Sequence, residues 1–465
     1  MKSRVKKATR LITIFFILLL ASHCDDDNPV DPDNLKFSRD ILPILNEYGD
    51  ILRQADVFPE GLRLTSWEDL MLGWERGEAV IPFDPDNSLL VELTTKLLNN
   101  NGLAQDKLDL LIRWIRDGAQ NDAGNVPFDN SPNLLYVCDQ AAAQISVIDT
   151  DAKVVIRTVN LLDLNMGFSL SSQPHFVAVE PDGSAWYVSL INENKVLKFN
   201  RANEFIGSAD VSIPALLAAH PTNDLLYVSR FPTAPGGDQP LVGVVDRASM
   251  TTRDDIVVRP TPHAMTTAGD GSFVYTCSLT GNLVVPINPV TNEADEPFVD
   301  LGPARGPIQL AVSPDNTTLA VSAQLSGEVF FIDVSDPDNR TITRTVPVNA
   351  APWHIAFTPD GSTVYVPNNG ANTISAIDVA TGNVTVIGDG TGRDGVSQPH
   401  GIAVSRDGDF VYVSSRNILG AYKPRFDFGD NASIGTVVVI NTQTNAIDKI
   451  VEVENFGSGM AVSQP

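Results

Sequence analysis

Three cysteines, six histidines and six methionines are all that 465 residues contain. Basic residues are scarce too, with 32 Lys and Arg against 57 Asp and Glu and a formal net charge of −25. So acidic a chain repels phosphate backbones, which excludes DNA and RNA as partners. No Ser-His-Asp arrangement, Gly-rich phosphate loop or Cys/His metal spacing stands in the sequence, so no catalytic constellation is legible in it. Asp389–Gly395, rich in Asp and Gly, reads as a turn-rich connection and not as a calcium loop.

The N-terminus carries Lys2, Arg4, Lys6, Lys7 and Arg10 with no acid, then the ten-residue run Leu11–Leu20, in which only Thr13 is polar. That run is too short to span a bilayer and reads as a secretory leader. Ala21-Ser22-His23-Cys24 follows and resembles a bacterial lipobox, with His23 where a small residue is usual. The resemblance implies lipid on Cys24, a leader over 1–23 and an acidic tether over 24–34. The expected location is outside the cytoplasm, as an outer-membrane or cell-surface lipoprotein, or periplasmic if retained. Losing the five leader cations takes the net charge from −25 to −30.

From Asn133 onward one unit recurs: an apolar strand, a turn such as Pro-Asp-Gly-Ser, a strand ending in Tyr-Val, and a third strand ending in Asp or Asn. The tyrosine falls at Tyr136, Tyr187, Tyr227, Tyr275, Tyr365 and Tyr412, with Ala320 in the equivalent place, at spacings of 40 to 51 residues. The Asx position is filled seven times, by Asp149, Asn200, Asp246, Asn288, Asp333, Asp378 and Asn441. An Asx side chain there can accept from the backbone two residues on and so starts the turn into a fourth strand. The first unit lacks an inner strand, while Gly459–Ser463 at the C-terminus matches Gly401–Ser405 of the last unit. The chain therefore predicts a mainly β fold over 131–465, a seven-bladed propeller whose C-terminal strand closes the ring. Phe357–Val366 carries the resemblance to the YVTN-type propeller repeats of bacterial and archaeal surface proteins, which speaks for fold and hardly for ligand. Cys138 and Cys277 occupy a slot that holds Ser189, Ser229, Ser322 and Ser414 in other units, three blades apart, and are expected as buried free thiols.

Residues 35–125 differ in kind. Leu108, Leu111, Ile112 and Ile115 mark a helix ending near Gly118; Ser88–Leu98, capped by Ser88 or Asn87, and Phe37–Leu52, with Pro43 near its start, are two more. Phe37–Leu45, Gly61–Leu64, Val80–Pro82 with Pro85 and Ser88–Leu90, and Trp114–Ala119 resemble the planctomycete-type cytochrome c domain. That family's haem chemistry needs Cys-x-x-Cys-His, yet no cysteine stands between Cys24 and Cys138 and no histidine between His23 and His175. Covalent haem is not expected.

Each inner strand opens at a Pro slot, and the next residue is His175, Ala215, His263, Ile308, Trp353, His400 or Ser458. His175, His263 and His400, with His354 one residue off register, would stand near-threefold around the channel, an arrangement suited to Zn or Cu. Alternatively each imidazole bonds a neighbouring backbone carbonyl. Two insertions fall at this end: Arg230–Asp238 in blade 3, and 417–433 in blade 7 with Tyr422, Lys423, Arg425, Phe426 and Phe428. Together with Trp353 and Arg230 they form the expected ligand surface. The leading expectation is thus a non-enzymatic binding or scaffold protein of the cell envelope, tethered by lipid and engaging a small ligand or another envelope protein at the channel mouth. The alternative is a metal-dependent hydrolase, lactonase-like, or a redox enzyme using the histidines.

Overall fold

The computed structural model describes residues 34–98, 103–230, 241–429 and 433–463. Cys24, the leader, nearly all of the acidic tether and all of the blade 3 insertion after Arg230 lie outside them. Seven antiparallel sheets stand in a ring. In blade 1 the closing strand Gly457–Ser463 pairs with Leu134–Asp139, aligning Leu134 with Ser463 and Tyr136 with Ala461, followed outward by Gln144–Asp149 and Val154–Asn160. The inner strands of blades 2 to 7 are Pro174–Val179, Pro214–Ala219, Pro262–Thr267, Pro307–Val312, the short Ala356–Phe357 and Pro399–Val404.

The repeat positions do what their chemistry dictates. The strand-two tyrosines are buried, and blades pack through them; Tyr136, Trp186 and Phe199 stack between blades 1 and 2 at ring distances of 4.8 and 4.3 Å. All seven Asx side chains accept backbone N–H groups of their turns. The reach is two residues ahead at Asn288 and Asp333, three at Asp246 and Asp378, and four at Asn200. Cys138 and Cys277 are free and buried.

The small-residue slot has a structural reason. The ladder between strands one and two is broken by a bulge directly after the Pro slot, as between Pro174 and Val177 or Pro399 and Ile402. A slot hydroxyl fills the gap: Ser229 accepts from Leu216 N (2.9 Å) and donates to His263 O of the next blade (2.5 Å). Ser189, Ser322 and Ser414 donate likewise to Ala215, Trp353 and Ser458 carbonyls, and the Cys277 thiol donates to Pro307 O. Straps of this kind link neighbouring inner strands and free the residues after the Pro slot from sheet pairing. Bulges re-aim side chains, here those of the histidine slot.

The helical segment comprises Phe37–Ile41 running into Leu42–Gln54, Trp67–Met71, Leu89–Glu92 continued by Leu93–Leu97, and Gln105–Arg116. Leu108, Leu111, Trp114 and Ile115 form its buried stripe, and Gly118 at φ +98° ends the last helix. Ser88 stands at an N-cap, yet its hydroxyl accepts from Ile81 N (2.8 Å) and donates to Asp84 O (2.7 Å), bracing the preceding loop instead of capping. The segment lies on the outer edges of blades 7 and 1. Glu452 N donates to Arg76 O (2.9 Å), Val155 N to Glu78 Oε2 (3.1 Å), and the Thr158 hydroxyl to Asp84. Edge strands are thereby covered. No helix among the described residues is long and apolar enough to cross a membrane.

Candidate functional site at the channel mouth

Released by the bulges, the slot side chains gather at one end of the channel. His354 and His400 rings lie 4.7 Å apart, His175 and His400 6.3 Å, and Trp353 and His400 4.9 Å. His263, His354 and His400 are buried, whereas His175, Trp353 and Arg416 keep partial exposure. The bland alternative holds for His263 alone, whose Nδ1 bonds Ile308 O at 2.6 Å. The other three rings differ. His175 Nδ1, His354 Nε2, both His400 nitrogens, Trp353 Nε1 and Arg416 Nε are buried atoms with no hydrogen-bond partner among the described residues. Buried polar atoms are nearly always satisfied, so six orphans in one place mark a site awaiting a polar occupant.

Electrostatics sharpen the picture. Burial, reinforced by the positive fields of His263 and Arg416, lowers His175 to about 3, and burial lowers His263 to about 4 against its carbonyl bond. His354 and His400 are pushed well below the ordinary imidazole range, chiefly by burial and then by one another and Arg416. All four are neutral near pH 7. Burial also lowers Arg416 to about 10. Its guanidinium lies 3.8 Å over the Phe456 ring and 5.6 Å from Trp353, with no ion-pair partner among the described residues. On the opposite side, a cavity of about 540 Å³ runs along the channel between the inner strands as far as Phe176 and His354.

The histidine slot therefore does converge, but among the described residues no group of three or more His, Cys, Asp or Glu side chains is arranged to hold a metal ion. The His354 and His175 rings both approach His400. The insertion residues are placed elsewhere. Tyr422 and Phe426 are 1% and 4% exposed and clasp the helical segment: Arg76 donates to Tyr422 Oη (3.0 Å) and to Lys423 O (3.3 Å), and Phe426 packs on Trp74 at 5.4 Å. Arg425 lies over the Phe426 ring at 5.3 Å, and Arg230 pairs with Asp255 at 2.8 Å. Of the expected ligand contacts, only Trp353 borders the histidines. Arg416 went unnoticed in the sequence. It directly follows the second strand of blade 7, Phe410–Ser415, but sequence cannot say whether a carboxylate answers a given arginine.

Solved structures share this architecture. The periplasmic gluconolactonase PpgL of Pseudomonas aeruginosa matches with a TM-score of 0.56 at 16% identity, covering 71% of this chain and 99% of its own. A functionally unknown protein from Desulfotomaculum acetoxidans DSM 771 matches with a TM-score of 0.56 at 16% identity, covering 72% of this chain and 99% of its own. At such identities the likeness speaks for the fold. No curated protein matches the chain in sequence. The family model for lactonase, 7-bladed β-propeller, matches residues 201–453, more than half of the chain, and the chain belongs to that family.

Proposed function

We propose that the protein is a hydrolase of cyclic esters, acting at the channel mouth, and not a passive scaffold. The observation that carries this is the unanswered set of neutral imidazoles beside an uncompensated guanidinium. Family membership and the likeness to a gluconolactonase support the same reading. A lactone placed at His175, His400 and Arg416 would present its carbonyl oxygen to the guanidinium. Water held by a neutral imidazole attacks the carbonyl carbon, and the imidazole takes the water proton. As charge grows on the oxygen, that negative field raises the depressed imidazole pKa, so proton transfer becomes favourable as the bond forms. Collapse breaks the ring C–O bond, and the proton passes to the leaving alkoxide, giving a hydroxy acid. No step passes through a metal. Secretion and lipidation of Cys24 are part of the proposal and would place this chemistry in the cell envelope.

The test is a pH-stat assay of purified protein with glucono-δ-lactone and simple γ- and δ-lactones. Turnover that falls about a hundredfold or more in Arg416→Met and in His400→Ala, with melting temperature retained, is the expected result. Absence of turnover on every lactone offered, or full activity in both variants, overturns the reading and returns the channel to a binding role.

A further inference from the structure

The connections at the mouth differ from those at the other end of the ring in what they expose. Ile418, Leu419, Leu325 and Leu170 stand in mouth connections at 47%, 81%, 71% and 62% exposure. Among the described residues, Val290 is the one comparably exposed large apolar side chain in a connection at the opposite end. There the turns read Pro-Asp-Gly-Ser and its variants, as turn centres ordinarily do. A single exposed leucine needs no explanation, but several on one rim mark a contact surface.

The pair beside Arg416 is held in place. Asn417, at φ +48°, turns the chain, and its buried side chain bonds Ser397 Oγ (2.9 Å), Tyr422 N and O (3.0 and 3.1 Å) and Ile434 O (3.0 Å). Gly420 N closes the turn on Asn417 O at 2.9 Å, so Ile418 and Leu419 take its two central positions, where Asn, Asp, Gly or Ser is usual. Leu419 N donates to Gln398 Oε1 (3.0 Å) and Arg416 N to Gln398 O (3.2 Å), and Gln398 directly precedes Pro399 and His400. The two aliphatic side chains thus stand one turn from the Arg416 guanidinium and beside the start of a histidine strand. Leu325 repeats the arrangement in blade 5: its N donates to Arg305 O (3.0 Å), and its side chain packs on Gly306, the residue before Pro307.

Resting on the lactone reading of the channel, we propose that the substrate is a lactone bearing an aliphatic chain, its ring among His175, His400 and Arg416 and its chain laid over Ile418 and Leu419. The two halves of the substrate meet different chemistry. The ring ester faces the cation and the imidazoles, whose unpartnered nitrogens answer polar atoms. The chain takes exposed isoleucine and leucine out of water, which the hydroxyls of a sugar lactone do not. A fully covered methylene favours binding about fourfold, and one half-covered about twofold.

The test compares kcat/KM of the purified protein for γ-butyrolactone, γ-hexalactone and γ-decalactone, with glucono-δ-lactone alongside. A rise of about tenfold or more from γ-hexalactone to γ-decalactone is expected. In Leu419→Asn and in Ile418→Asn, both suited to a turn centre, that ratio should fall to about threefold or less, with melting temperatures showing that the fold is kept. No turnover of any lactone overturns the channel reading and this inference with it. Turnover of glucono-δ-lactone or γ-butyrolactone, with kcat/KM flat or falling as the chain lengthens, overturns this inference alone. So does a rise that both folded variants retain; if those variants instead lose sedimentation with phosphatidylcholine vesicles, the tips meet a lipid surface and not a substrate chain.

Discussion

Two arginines at opposite ends of the propeller show what each end is for. Arg247 follows the Asx turn of blade 3, is 6% exposed, and is held by Glu180 and by the carbonyls of His220 and Asn223. Arg416, at the mouth, touches the faces of Trp353 and Phe456 and has no carboxylate against it among the described residues. The histidines divide in the same way. His220, near Arg247, accepts from Thr222 N and Asn223 N and bonds Gly271 O, whereas His175, His354 and His400 carry unanswered nitrogens. Arg247 Nε also lacks a hydrogen-bond partner among the described residues, but its charge is paired with Glu180, whereas among the same residues the charge at the mouth is not paired. A protein tolerates uncompensated buried polarity where something else completes it.

The largest expected effects come from exchanging the two arginines' fates. Arg247→Met leaves the half-buried Glu180 with only Lys198 and the Tyr187 hydroxyl and should cost about 3–5 kcal/mol, read as a drop in the denaturant midpoint. Arg416→Met removes a half-buried cation that no carboxylate among the described residues neutralises, so stability should hold or rise while lactone turnover falls about a hundredfold or more. If Arg416→Met destabilises as much as Arg247→Met, the mouth is a structural network and the comparison breaks.

Next in size is the clasp. Phe426→Ala empties the contact with Trp74 and should cost about 3 kcal/mol, seen as earlier proteolytic cleavage between the helical segment and blade 1. A cleavage pattern identical to that of the wild type would mean that the backbone bond from Glu452 to Arg76 and the Glu78–Val155 contact carry the junction on their own.

The pH dependence separates the ends further. The mouth histidines have folded pKa values below the unfolded value of 6.5, so the unfolded chain binds more protons beneath it. Their stabilising contribution is complete above pH 6.5 and is lost as the pH falls toward about 4 and about 3, where His263 and His175 titrate in the fold. Glu78 acts in the opposite sense. Its folded pKa of about 8 exceeds the ordinary 4.5, so stability declines as the pH rises from 4.5 to 8. Melting temperature against pH should therefore show a shoulder on each side. Glu78→Gln flattens the alkaline one, and His400→Gln softens the acid one. A Glu78→Gln profile that superimposes on the wild type would show that the carboxyl ionises freely at the junction with blade 1.

Much of this comparison is legible in the sequence, though unevenly. Blade count, ring closure, Asx turns and the shared histidine slot follow from side chains acting within a few residues of themselves or at one repeat period, and sequence displays both. Arg416 and the clasp were not legible, because each depends on what a side chain meets from a distant part of the chain. Tyr422 and Phe426 looked like a ligand surface since aromatics among Lys and Arg in a long loop suggest contact; what they contact is Arg76 and Trp74, some 350 residues away. The slot shared by His175, His263 and His400 is legible from spacing, but ring orientation within a channel is a matter of rotamers that spacing does not encode.

The smallest expected effect tests the most repetitive feature. The Cys277 thiol donates to Pro307 O at 3.1 Å in the place where Ser229 bonds His263 O at 2.5 Å. If the slot is a strap between neighbouring inner strands, Cys277→Ser supplies a better donor of smaller size, and the change should stay within about 0.5 kcal/mol of neutral by chemical denaturation. Cys277→Val fills the volume but leaves the Pro307 carbonyl without its donor, and should cost about 1–2 kcal/mol. Were the two variants equally stable, the slot would be selecting for size alone, and the straps would be a consequence of close blade packing and not one of its causes.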